Sequence, residues 1–163
     1  MHPLVTETMK KAAVVWLTVA GGRPYPVWCL WHEDALYVVS GSGEQAAPGL
    51  DTVTAAVVTG RGDHGGRVVS WPAQVSRVTP DSELWQQVVP QLASKRLNLP
   101  ASEDTAARWA TDCVVTRLEP TADPVEAGAT LPRGSLAAPP PPTPATRRPS
   151  KPFRLHRVRK PPP

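Results

Sequence analysis

The sequence has few of the residues that usually mark a catalytic centre. Its 163 residues carry only two cysteines, Cys29 and Cys113, and neither has a partner at a metal-binding or CxxC spacing. A disulfide scaffold, a zinc finger and a dithiol redox centre are therefore excluded. Both thiols sit in apolar, strand-like runs and read as buried. The four histidines (His2, His32, His64 and His156) are scattered without ligand spacing. No serine stands in a GxSxG elbow and no Ser/His/Asp order is legible, so nothing marks a hydrolase. No run approaches the ~18 apolar residues of a membrane span. Met1 to Lys11 is polar and mixed rather than a signal pattern. The expectation is a cytoplasmic protein with no membrane partner.

Proline is plentiful, and it is unevenly placed. Residues 121–163 hold 12 of the 21 prolines and 8 Lys/Arg against 2 Asp/Glu, whereas residues 1–120 hold 10 Lys/Arg against 12 Asp/Glu. The net charge of +4 and the pI of about 9.4 therefore describe the tail, and they give no reason for the body to bind nucleic acid. Residues 1–120 suffice for one hydrophobic core and read as a single domain. Residues 121–163, with four consecutive prolines at Pro139–Pro142, read as an extended, disordered tail. A basic tail of this kind attracts nucleic acid or an acidic partner weakly and in a salt-dependent way. Its proline run matches an SH3-type groove less strongly.

The body is organised around residues 24–43. Val27, Trp28, Cys29, Leu30 and Trp31 form an apolar run, His32-Glu33-Asp34 a polar turn, and Leu36 to Val39 a returning strand. The strand ends in Ser40-Gly41-Ser42-Gly43, where small side chains let a ligand approach the backbone. Before this hairpin, residues 3–11 read as a short helix and Ala12 to Val19 as a strand. After it, Glu44 to Leu50 has room for one helical turn whose N-terminus would favour an anion at the loop. Val53 to Thr59 and Arg67 to Val78 read as strands, with Pro72 implying an edge or a bulge. Thr79-Pro80 opens a helix that Pro90 should kink or end. Ser102 to Asp104 opens a second helix, and Cys113 to Leu118 is a final strand. Six strands with few, late helices predict a mainly β, six-stranded antiparallel barrel with flanking helices.

Gly60-Arg61-Gly62-Asp63-His64-Gly65 matches GxGxxG, but a strand pattern follows it, so it reads as a hairpin turn rather than a dinucleotide site. Arg61-Gly62-Asp63 is read as a chance match to an adhesion tripeptide.

With these elements placed, residues 5–119 resemble the pyridoxamine 5′-phosphate oxidase-like split-barrel family. The resemblance lies in Val15–Val19 followed by Gly22-Arg23-Pro24, in Pro26-Val27-Trp28 and its continuation, and in Ala35–Ser40 with its small-residue loop. It extends through the Thr54–Thr59 strand to the long Val68–Val78 strand ahead of the Asp81–Leu84 helix. It implies a homodimer with FMN, or in some branches F420, at the subunit interface. It implies that Val27, Trp28, Cys29 and Leu30 lie along the flavin ring. Ser40 and Ser42, with Gly41 and Gly43 between and after them, would hold the phosphate. Arg67 and Trp71 would reach phosphate or ring. Gln45 stands where the family carries Lys or Arg, and Gly49 where it carries Asn. Glu44 beside the loop repels a phosphate, so either Arg61 or Arg67 supplies the charge from elsewhere, or the phosphate site is weak or lost.

Three functions remain open. The first is a flavin-dependent oxidoreductase acting on a small molecule, with the chemistry carried by the cofactor. The second is a flavin-fold protein that binds without turnover. The third is a cofactor-free dimeric interaction module. Flavin colour separates the first two from the third, and turnover separates the first from the second.

Overall fold

A computed structural model of the protein describes residues 2–96 and 104–132, together with Gly134 and Thr143. The chain runs through α1 (Pro3–Lys11), β1 (Val14–Val19), β2 (Tyr25–Trp28), β3 (Leu30–His32) and β4 (Ala35–Gly41). A 3₁₀ turn at Leu50–Thr52 leads to β5 (Ala55–Arg61) and β6 (Arg67–Arg77). Helices α2 (Glu83–Ser94) and α3 (Thr105–Asp112) precede β7 (Cys113–Pro120) and β8 (Glu126–Ala127). Among the described residues no helix is long and apolar enough to cross a membrane.

The strands form one antiparallel sheet in the order β2-β1-β5-β6-β7-β4-β3, with β8 beside the first half of β6. Its two end strands, β2 and β3, are consecutive in the chain and separated only by Cys29. The first pairs with β1, placing Val14 opposite Trp28, and the second with β4, placing Trp31 opposite Leu36. One bent strand thus joins both ends of the sheet and closes a barrel, which removes the open edges. The Cys29 N–H fixes the bend by donating to the Ala13 carbonyl at 3.0 Å. The six strands of the sequence reading become eight segments because this strand breaks at Cys29 and the chain past Pro120 adds β8.

Pro72 sits inside the sheet, paired with Val57 of β5. Its carbonyl faces the other side, where it accepts from the Thr121 N–H at 3.1 Å. The donor it lacks therefore faces residues 121–125, the gap between β7 and β8, where no regular ladder needs it. Pairing on β6 thus continues past residue 120, with Val69 opposite Ala127. Most of the remaining tail, including the proline run and the basic stretch at 147–160, lies outside the described residues.

Two cores result. Inside the barrel are Val15, Leu17, Val27, Val58, Val69, Trp71 and Leu118, with Val5 and Met9 of α1 closing one end. Gly60 makes that closure possible, because a Cβ there would lie 2.6 Å from Met9 Cε and Thr8 Cγ2. Outside, α2 and α3 bring Trp85, Val88, Leu92 and Trp109 onto Tyr37, Val39, Cys113 and Val115. Strand β4 is therefore covered on both faces, which is why Ala35 to Val39 is apolar without alternation.

Local signals set the helix ends, in places against expectation. Helix α2 begins after Ser82, whose Oγ accepts the Trp85 N–H at 3.1 Å. Thr79-Pro80 does not open it, because Asp81 takes a left-handed φ of 62°. The helix runs unbroken through Pro90. The carbonyl that Pro90 leaves without a donor belongs to Gln86, an exposed residue on the solvent side of the helix. Asp104 caps α3 through the Ala107 N–H at 3.1 Å. The helical turn expected within Glu44–Leu50 is absent; only the 3₁₀ turn at Leu50–Thr52 forms, so no helix N-terminus faces the Ser40–Gly43 loop.

Candidate functional site

The Ser40–Gly43 loop lies where β4 leaves the sheet, with Ser40 opposite Val114 and Gly41 opposite Cys113. Gly41 has a φ of 142°, and a Cβ there would meet the Asp112 carbonyl oxygen at 2.6 Å and Cys113 Cα at 2.7 Å. The small residue serves this close strand crossing. Part of the loop's backbone is also committed. The Ser42 N–H donates to Asp112 O at 3.2 Å, and the Glu44 N–H donates to Gly41 O at 3.1 Å. The Ser42 carbonyl accepts Arg108 Nη1 at 3.0 Å and the Cys113 thiol at 3.6 Å.

Glu44 anchors the loop. Its Oε2 accepts Arg96 Nη2 at 2.6 Å, while Oε1 accepts Arg108 Nη2 and Trp109 Nε1, both at 2.8 Å. The carboxylate is only 6% exposed, and Arg96 and Arg108 are 11% and 22% exposed. Three charge-assisted bonds compensate its burial. The acid expected to repel a phosphate is instead neutralised by residues 52 and 64 positions away. Gln45, next in the chain, turns to the bent strand, where its Oε1 accepts the Trp28 N–H at 2.5 Å. The loop and the Val27–Leu30 strand, linked in the sequence reading, are thus joined by a hydrogen bond.

Beside that bond lies a cleft of about 360 Å³, lined by the end of α1, the β2–β3 bend and the end of α2. Trp28, Cys29, Ala12, Ala13 and Leu92 give it an apolar floor, and Lys10, Lys11, Lys95 and Arg96 give it a basic rim. Two helix C-termini end here, each contributing roughly half a negative charge. The three lysines outweigh that, and none of them has an ion pair among the described residues. The volume lies at the lower end of the range for small-molecule sites, ~300–1,000 Å³. Burial pushes the Cys29 thiol up to about 12, with Lys95 opposing the rise. The thiol is therefore neutral, donates to Ala12 O at 3.7 Å, and is no nucleophile near neutral pH. Among the described residues the lining includes no histidine or carboxylate.

The other candidate residues separate. Val27 is buried in the barrel and Leu30 against the helices, so their side chains serve cores. Trp71 is fully enclosed, meets Trp31 edge-on at 6.2 Å between ring centroids, and leaves its Nε1 without a partner. Arg67 donates to the carbonyls of Pro132 and Gly134, the latter at 2.9 Å, and so ties the C-terminal segment to β6. Arg61 stacks on Trp16 at 4.3 Å and bonds Gly65 O. Neither arginine bonds to the Ser40–Gly43 loop. Sequence reasoning passed over Lys10, Lys11, Lys95 and Arg96. Their only local signal was two Lys/Arg pairs at helix ends, which usually means solvated caps.

A flavin mononucleotide is a flat ring with a dianionic end. The cleft's apolar floor and lysine rim suit both parts; in the loop the Ser42 and Glu44 N–H groups are used internally, and the Ser40 and Ser42 hydroxyls lie outside the cleft lining.

No protein-family model matches the chain, and no curated protein matches it. Solved structures do. HutZ, described as the heme storage protein from Vibrio cholerae, aligns with a TM-score of 0.52 at 19% identity, covering 74% of this chain and 90% of its own. A Listeria innocua protein assigned as a pyridoxamine 5′-phosphate oxidase aligns with a TM-score of 0.52 at 16% identity, covering 74% of this chain and 94% of its own. At these identities the likeness shows the fold: a mainly β split barrel of the pyridoxamine 5′-phosphate oxidase type, with flanking helices.

Proposed function

We propose that this chain binds a flavin-class cofactor, FMN or F420, in the cleft at the β2–β3 bend and serves as an oxidoreductase for a small molecule. The observation that carries this reading is the meeting of an apolar floor at Trp28, Cys29 and Leu92 with the rim of Lys10, Lys11 and Lys95. The shared fold with the protein assigned as a pyridoxamine 5′-phosphate oxidase supports it.

Each part of the cleft has a task in this reading. Trp28 and Leu92 cover the ring and exclude water, and the lysines neutralise the phosphate. Gln45 fixes the Trp28 backbone, and so the height of the floor. When bound, the flavin supplies hydride chemistry, which is why the lining needs no acid or base of its own.

The partner in this reading is a second copy. Val14, 36% exposed, lies opposite Trp28, and half-buried Trp16 lies opposite exposed Pro26, on the outer face of β1 and β2. A second copy on that face would bury these residues and shield the cleft's tryptophan side.

Heme storage, the role given for HutZ, is the competing reading. Heme iron takes an axial His, Cys, Met or Tyr. Among the described residues the cleft lining offers only the neutral, buried Cys29, which disfavours it. An absorbance spectrum of the protein purified from its native host tests the proposal. Flavin or deazaflavin bands at about one per chain support it. A Soret band, or a colourless protein that quenches neither FMN nor F420 at micromolar concentration, contradicts it.

A further inference from the structure

Arg96 belongs to two places at once. It lines the cleft beside Lys95, and it is bonded to Glu44 at 2.6 Å. Glu44 cannot follow Arg96 toward a ligand, because Arg108 and Trp109 hold its other oxygen, both at 2.8 Å. Arg108 is itself braced on the Ser42 carbonyl at 3.0 Å. The cleft's one guanidinium, the group best shaped for two-point recognition of a phosphate, is therefore held by an internal carboxylate. What remains for a ligand is three lysines, Lys10, Lys11 and Lys95, which are exposed and act as point charges on flexible stems.

We propose that Glu44 is a specificity-determining residue: by holding Arg96 it lowers the cleft's preference for phosphorylated over unphosphorylated ring ligands. The proposal rests on the reading that the cleft takes a flavin-class ligand. The natural ligand pool would then extend to flavins and similar flat molecules whose tail is neutral or singly charged. Glu44 positions Arg96 and touches no ligand itself.

The test compares the affinities of riboflavin and FMN, which share a ring and differ by the phosphate, using fluorescence quenching on the full-length chain. Glu44→Gln keeps an acceptor for Arg108 and Trp109 but no longer holds Arg96 by charge. It should raise the FMN-to-riboflavin affinity ratio roughly tenfold with riboflavin unchanged. Glu44→Asp keeps the charge but is one methylene shorter and cannot reach all three partners. It should raise the ratio by a smaller amount, and it serves if the glutamine variant does not fold. The double variant Glu44→Gln with Arg96→Gln should return the ratio to that of the parent. An unchanged or lowered ratio in the folded single variants, or a gain that survives loss of Arg96, overturns the proposal. Failure of riboflavin and FMN alike to bind any of these proteins overturns it at its base, because it removes the flavin reading. Binding of both without a shift in ratio removes this inference alone.

Discussion

The carboxylate of Glu44 lies 2.6 Å from the guanidinium of Arg96, across 52 positions of chain, and is 6% exposed. This pair ties the loop after β4 to the end of α2. With Arg108 and Trp109 it makes one junction of three elements. A buried carboxylate held by two guanidiniums is costly to break, because removing one member leaves the others charged and dry.

Glu44→Ala should therefore destabilise the protein by about 3–5 kcal/mol, read as a fall in the midpoint of thermal unfolding of roughly 6–20 °C. The Arg117–Glu119 pair is the internal control: at 2.7 Å it is nearly as short, but its side chains are 31% and 39% exposed. Glu119→Ala should cost less than about 1 kcal/mol. Equal losses from the two substitutions would remove the junction's special status.

Gly41 makes a sharper steric prediction. A Cβ at this position would meet backbone at 2.6 Å and 2.7 Å, with φ at 142°. Neither the Asp112 carbonyl nor Cys113 Cα can yield without moving β7. Gly41→Ala should lower stability by roughly 2–4 kcal/mol in urea unfolding. Gly65→Ala, where nothing lies within 4 Å of the added carbon, should cost no more than about 1–2 kcal/mol, from its φ of 75° alone.

Cys29 carries a pH signature. Its thiol is raised from 9.0 to about 12 by burial, so the folded state favours the protonated form. The stability this contributes is complete below pH 9 and is lost as pH rises toward 12. Urea midpoints across that window should fall less steeply for Cys29→Ala than for the parent protein. The remaining slope comes from Cys113 and Tyr25, which burial also raises. At pH 8 the parent should resist alkylation at Cys29 until denaturant is added; rapid labelling of the folded protein would contradict the burial.

Much of the fold was legible from the chain because its signals are local. The β-branched run of β1, the polar turn after His32 and the apolar Ala35–Val39 segment each declare their structure over a few residues. The candidate site was legible only in part. Trp28, Cys29 and Gln45 were expected beside the ligand, and they lie on or next to the cleft. Arg67 and Trp71 were expected there too, but β6 sends one to the carbonyls at Pro132 and Gly134 and the other into the barrel. Lys10, Lys11, Lys95 and Arg96 could not be found by spacing. Two helix ends 84 residues apart, from Lys11 to Lys95, become neighbours only once the barrel closes through the bend at Cys29. Glu44 misled for the same reason, since its neutralising partners come from α2 and α3.

The most direct measurement is a fluorescence titration of FMN into the parent protein and into a variant carrying Lys10→Gln, Lys11→Gln and Lys95→Gln. All three side chains are exposed, so the variant keeps the fold. The account predicts one FMN per chain at micromolar or tighter affinity, weakened about tenfold or more in the variant and converging with the parent as salt is raised. An FMN that is not bound by the parent, or that binds both proteins equally at low salt, would contradict the claim that this cleft is the cofactor site.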